Sequence, residues 1–192
     1  KEVDLPKIKY IEVDVNFSLD FKNGDKDIVG KMLEKAVVSE AGGIKIPTLC
    51  KEDFFIHLCA HLYKEAATLP WIRMKRDMTL YKYCDICYQL SEMTDGDTYT
   101  LFERAGELNI LDVCGFAIIN ARNLFNLPFS KAIHDFGCVI HKNMEFMGRV
   151  FSPEDNKYLR YKTASVKDRF FIENRENDIT EESIYDKLKN DS

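Results

Sequence analysis

The chain reads as a mostly α protein with a small β portion, an α+β chain in which a strand or two lead into a helical bundle. Residues 8–21, IKYIEVDVNFSLDF, hold the one clean alternation of apolar and polar side chains. From residue 47 onward, apolar residues recur every three to four positions in successive stretches broken by Pro, Gly and Asp. The composition, 45% hydrophobic with 13 Phe and 9 Tyr in 192 residues, supplies a core for such a bundle.

Taken in order, residues 8–21 are rich in β-branched and aromatic types and form the best strand. Alternation puts Glu12, Asp14 and Asn16 on one face, with Ile11, Val13, Val15 and Phe17 on the other. Asn23-Gly24-Asp25 turns the chain. Residues 26–38 show helical spacing, with Gly42-Gly43 as the stop, and Ile44-Lys45-Ile46 is a short extended piece.

The central helix lies within residues 47–69, PTLCKEDFFIHLCAHLYKEAATL, and begins near Cys50 or Lys51. Glu52 and Asp53 in its first turn complement the helix dipole. Phe54, Phe55, Leu58, Ala60, Leu62 and Tyr63 give it a broad apolar face. Asp53, His57, His61, Lys64 and Glu65 recur at three and four as a polar seam. Residues 78–93 carry the next apolar-periodic run. Thr94-Asp95-Gly96-Asp97 breaks and recaps the chain ahead of a helix over 98–108. Residues 111–125 are nearly all apolar, which places that helix at the centre of the bundle, and Leu127-Pro128 ends it. A fifth helix follows over 131–149. Ser152-Pro153-Glu154-Asp155 has the form of a helix N-cap, residues 169–173 are strand-like, and a capped helix follows Thr180.

The net charge of −5 argues against a broad nucleic-acid surface, which needs a basic face. No apolar run reaches membrane-spanning length, and the opening KEVDLPKIKY lacks the apolar region of a signal peptide. Of the six cysteines only Cys84 and Cys87 have CxxC spacing, with no second pair to complete a zinc site. Free thiols then fit a reducing, cytoplasmic setting.

Three groupings could carry chemistry. Glu12 and Asp14 point the same way on a strand, as a divalent cation or a solvated sheet face would both allow. His57 and His61 stand one helical turn apart, but Leu58, Cys59 and Ala60 lie between them, so the glutamate of an HExxH zinc site is missing. A hydrogen-bonding seam with Lys64 and Asp85 is favoured there, and no zinc is expected. Arg73, Lys75, Arg76 and Lys82 form a basic cluster that fits either a phosphate site or an ordinary charged loop.

In sequence order the pieces IEVDVNFSL (11–19), GIKIPTLCKED (43–53), FFIHLCAHLYK (54–64), LYKYCDICYQL (80–90) and LFERAGELNILDVCGFAIINARNLFNLPF (101–129) resemble the uncharacterised nucleotidyltransferase family of the DNA-polymerase-β-like superfamily. The resemblance implies that residues 1–46 are the end of a catalytic core. On it, 47–150 are a helical domain on the nucleotide or substrate side, and 151–192 are a charged extension. It further implies transfer of a nucleoside monophosphate from an NTP to a small-molecule or peptide-like acceptor by two-metal chemistry with Mg²⁺. Asp14 then stands as the catalytic and metal carboxylate with Glu12 beside it. His57, His61, Lys64, Lys82 and Asp85 line the nucleotide or acceptor cleft.

The family's Gly-Ser turn and D-x-D strand have no counterpart ahead of Asp14. Glu2-Val3-Asp4 lacks the turn, and Asp25-Lys26-Asp27 lacks the apolar middle residue. Asn16, Phe17, Cys50 and Lys51 replace the family's His, Trp, Ser and Pro. Two readings remain, an enzyme whose missing half lies upstream and a catalytically inactive helical binding module of the same fold.

Overall fold

The computed structural model describes residues 18–19, 27–128, 130–140 and 146–181. The alternating stretch that carries Glu12 and Asp14 lies outside the described residues, as does the chain after Glu181. The architecture is mostly helical with small antiparallel sheets, as the sequence predicts.

Helix α1 (Asp27–Glu34) leads into a hairpin of β1 (Val37–Ala41) and β2 (Ile44–Thr48). Here the expected helix over 26–38 stops early. Gly42 and Gly43 have φ of 58° and 79° and form the two-residue turn of the hairpin rather than a helix stop. Two consecutive positive φ values match the twist of the flanking strands, and glycine reaches them without a Cβ clash.

The bundle comprises α2 (Lys51–Ala66), α3 (Leu69–Arg73), α4 (Leu80–Ser91), α5 (Asp95–Glu107), α6 (Leu111–Phe125) and α7 (Lys131–Ile140). Thr94 caps α5 reciprocally, its Oγ1 accepting from Asp97 N at 3.2 Å while Asp97 Oδ2 accepts from Thr94 N at 2.8 Å. Helix α6 ends at Asn126 in the left-handed conformation. Its residues 114–121 are all buried, so α6 occupies the middle of the bundle and α2, α4, α5 and α7 pack on it. Phe55, Ile56, Cys59 and Leu62 of α2, Tyr83 and Ile86 of α4, and Leu101 and Ala105 of α5 complete this core.

Beyond α7, the expected helix over 131–149 gives way to β3 (Arg149–Ser152), which pairs antiparallel with β4 (Lys157–Tyr161). Ser152-Pro153-Glu154-Asp155 therefore belongs to a hairpin connection, in which Ser152 Oγ donates to Asp155 Oδ2 at 3.0 Å, and not to a helix start. Residues 169–173 are not a strand. Ser165 caps the short α8 (Val166–Arg169) and a turn follows. A 3-10 turn (Arg175–Asp178) then precedes β5 (Ile179–Glu181), which adds to β4, and past Glu181 the helix expected after Thr180 lies outside the described residues.

This three-stranded sheet packs on α3 through a second apolar cluster of Leu69, Ile72, Val150, Leu159 and Tyr161. It is tied to the end of α2 by a bridge between Thr68 and Phe151, whose N–H donates to Ala67 O at 2.8 Å. No described helix is long and apolar enough to cross a membrane.

Candidate functional site

Helix α2 places residues 57, 61, 64 and 65 on one side of its second half, because three- and four-residue steps return to the same face. That side borders a cleft of about 270 Å³ lined by His57, His61, Lys64 and Glu65 of α2. Trp71 and Arg76 on and after α3, Tyr81 and Lys82 of α4, and Ser18 and Leu19 close the lining.

At its centre, Lys82 forms an ion pair with Glu65, both side chains largely buried. His61 Nε2 stands 3.2 Å from Glu65 Oε1 and 3.4 Å from Lys82 Nζ. One ring nitrogen thus sits between a carboxylate and an ammonium. With its proton on Nδ1 the ring accepts from Lys82, and with its proton on Nε2 it donates to Glu65. The His57 ring lies 6.2 Å from that of His61, centroid to centroid.

Burial holds both histidines below the ordinary imidazole range. For His57 the neighbouring His61 adds to the effect. For His61 the charge of Lys82 lowers the value further, Glu65 opposes it and Lys64 lowers it again. Both rings are therefore neutral at pH 7. Lys82 is paired with Glu65, and Lys64 and Arg76 bring two further cationic side chains to the described lining. The Arg76 guanidinium stacks over the Trp71 ring, 4.9 Å from its centroid. A flat aromatic surface beside cations suits an anionic ligand that carries a ring.

Of the residues singled out from the sequence, the structure brings His57, His61, Lys64 and Lys82 to one cleft. Asp85 is exposed on α4 and does not line it, while Glu12 and Asp14 lie outside the described residues. Asp53 leaves the expected polar seam altogether. It is buried in the core against Arg104 of α5, with Nε–Oδ1 at 2.8 Å.

The basic cluster divides. Arg76 and Lys82 face the cleft, whereas Arg73 pairs with Glu154 and Glu176, both at 2.9 Å. Trp71 and Tyr81 were not marked by the sequence reading, although the only Trp of the chain stands next to its basic cluster. Among the described residues no group of three or more His, Cys, Asp or Glu is arranged to hold a metal ion.

Residues 5–126 match the family described as uncharacterised nucleotidyltransferase. No curated protein and no solved structure matches the chain. The matched span runs from the stretch bearing Glu12 and Asp14 through the end of α6, and so contains every described residue that lines the cleft. By that match the chain belongs to the uncharacterised nucleotidyltransferase family.

Proposed function

We propose that this chain takes part in transfer of a nucleoside monophosphate from an NTP to a small-molecule or peptide acceptor, with the cleft between α2, α3 and α4 as the nucleotide-binding wall. The observation that carries the reading is the cationic cleft itself. It lies on the helix that bears His61 and Lys64 of the piece FFIHLCAHLYK, and it gathers Lys64, Arg76 and Lys82 around one opening of an acidic chain. Lys64 and Arg76 would engage phosphate oxygens, and Lys82 would hold Glu65 and through it His61 in place. Neutral His61 can take or give a proton at Nε2 without changing the charge of the Glu65–Lys82 pair.

Glu12 and Asp14 would hold Mg²⁺. Bound there, the ion would supply Lewis-acid polarisation of the phosphate being transferred. Among the described residues that line the cleft the one carboxylate is Glu65, and it pairs with Lys82.

Calorimetric titration with ATP, GTP, CTP and UTP, each with and without Mg²⁺, tests the reading. Saturable binding of at least one nucleotide is expected, and Asp14→Asn should weaken its Mg²⁺-dependent part by about tenfold or more while the fold is kept. Binding that ignores both Mg²⁺ and Asp14→Asn would instead support the inactive module. No binding of any of the four nucleotides would overturn the assignment of the cleft.

A further inference from the structure

One wall of the cleft is held in place by chain that lies beyond the family match. Trp71 and Arg76 sit on α3 and the loop after it, which has little structure of its own. Within the loop, Arg76 N donates to Trp71 O at 2.9 Å, Thr79 Oγ1 donates to Arg76 O at 2.8 Å, and Lys75 takes a left-handed φ of 58°. The next residue, Asp77, is fully buried. A carboxylate there needs a cation, and among the described residues the one shown paired with it lies beyond residue 126.

Arg175 of the 3-10 turn does. Its Nε lies 2.6 Å from Asp77 Oδ2 and its Nη2 2.8 Å from Oδ1, a two-point fork. Tyr161 Oη of β4 adds a third contact to Oδ2 at 3.4 Å. The fork in turn is framed by Tyr161, over whose ring Arg169 stacks at 4.1 Å. At the other end of the wall, Arg73 of α3 is held by Glu154 and Glu176, and Leu69 and Ile72 are packed on Val150, Leu159 and Tyr161.

We infer that residues 146–181 are a working part of the site, with Arg175 as a positioning residue that holds Asp77 and thereby fixes Trp71 and Arg76 at the cleft. The inference rests on the nucleotide reading only for its binding readout, because Trp71, the one Trp of the chain, reports on the wall without any ligand.

The test compares wild type with Arg175→Ala, with Thr94→Ala as a control that removes a helix cap outside the cleft. In Arg175→Ala the Trp71 emission should shift to the red, its quenching by iodide should rise roughly twofold, and affinity for whichever of ATP, GTP, CTP and UTP wild type binds best should fall roughly five- to tenfold. Thr94→Ala should lower the melting temperature and move neither the emission nor the affinity. A merely structural clamp would make the two variants alike.

Should Arg175→Ala fail to fold, Asp77→Asn keeps the side-chain volume and carries the test to the same readouts, with changes in the same direction. A folded variant of either kind whose Trp71 emission and quenching match wild type overturns the inference. Wild type that binds none of ATP, GTP, CTP and UTP defeats the nucleotide reading alone, and the emission readout still decides the clamp.

Discussion

Arg104→Ala is expected to lower the stability of the chain by about 3–5 kcal/mol, the range for removing one partner of a buried ion pair. Arg104 reaches from α5 to α2, where its Nε and Nη2 meet the two oxygens of Asp53 at 2.8 and 3.0 Å. Its Nη2 also donates to Lys31 O of α1 at 2.9 Å, and its Nη1 to Glu107 at 2.9 Å. Three helices thus meet at one guanidinium, and these contacts hold it even more firmly protonated than an ordinary arginine.

The truncation does not simply delete those contacts. It leaves the Asp53 carboxylate, wholly shielded from water, without a counter-charge, and that residual cost dominates. Removing both charged groups should therefore cost less than the two single changes added together. Arg104→Lys should fall between, since an ammonium cannot make the fork to Asp53 and reach Lys31 O as well. Urea denaturation of Arg104→Ala, Asp53→Ala, the double variant and Arg104→Lys checks this. A loss under about 1 kcal/mol in Arg104→Ala would place the pair in the class of solvated surface bridges and sink the argument.

How far the sequence could be read follows from which interactions decide each element. Helix α6 was legible to its ends because nearly every residue in it is apolar and Leu127-Pro128 follows. The cap of α5 was legible because Thr94 and Asp97 cap each other within four residues, although the helix begins at Asp95 rather than at the expected residue 98. Such signals are local. The hairpin over 37–48 was not, because Val37 and Val38 continue the helical spacing of α1 and Gly42-Gly43 serves a helix stop and a type I′ turn equally well.

Ser152-Pro153-Glu154-Asp155 is ambiguous in the same way, and pairing of β3 with β4 settles it. In the site, spacing on α2 gathered His57, His61, Lys64 and Glu65 correctly but also drew in Asp53, whose partner Arg104 stands 51 residues away. Trp71 and Tyr81 reach the cleft only because α3 and α4 fold back beside α2, which no local pattern records.

Lys82→Met should cost about 2–3 kcal/mol near pH 8, somewhat less than the full loss of a buried partner because His61 still faces Glu65. The deficit should also depend on pH, and its sign can be worked out. In the wild type, burial lowers the His61 value most, followed by the charge of Lys82, with Glu65 opposing. A folded-state value below the unfolded one means that the unfolded chain takes up protons more readily, so stability falls as pH falls through the window below about 6.5.

Without Lys82, Glu65 acts on His61 against burial and Lys64 alone, and the His61 value rises. The folded variant then binds the proton more readily than folded wild type does. Its acid penalty is smaller, and the imidazolium so formed partly replaces the missing ammonium beside Glu65. The gap between variant and wild type should therefore be widest near pH 8 and narrow toward about pH 5.5, with the His61 resonance titrating at higher pH in the variant. An equal gap at both pH values, with His61 unmoved, would mean that Lys82 acts on Glu65 alone and that the three side chains are not one electrostatic unit.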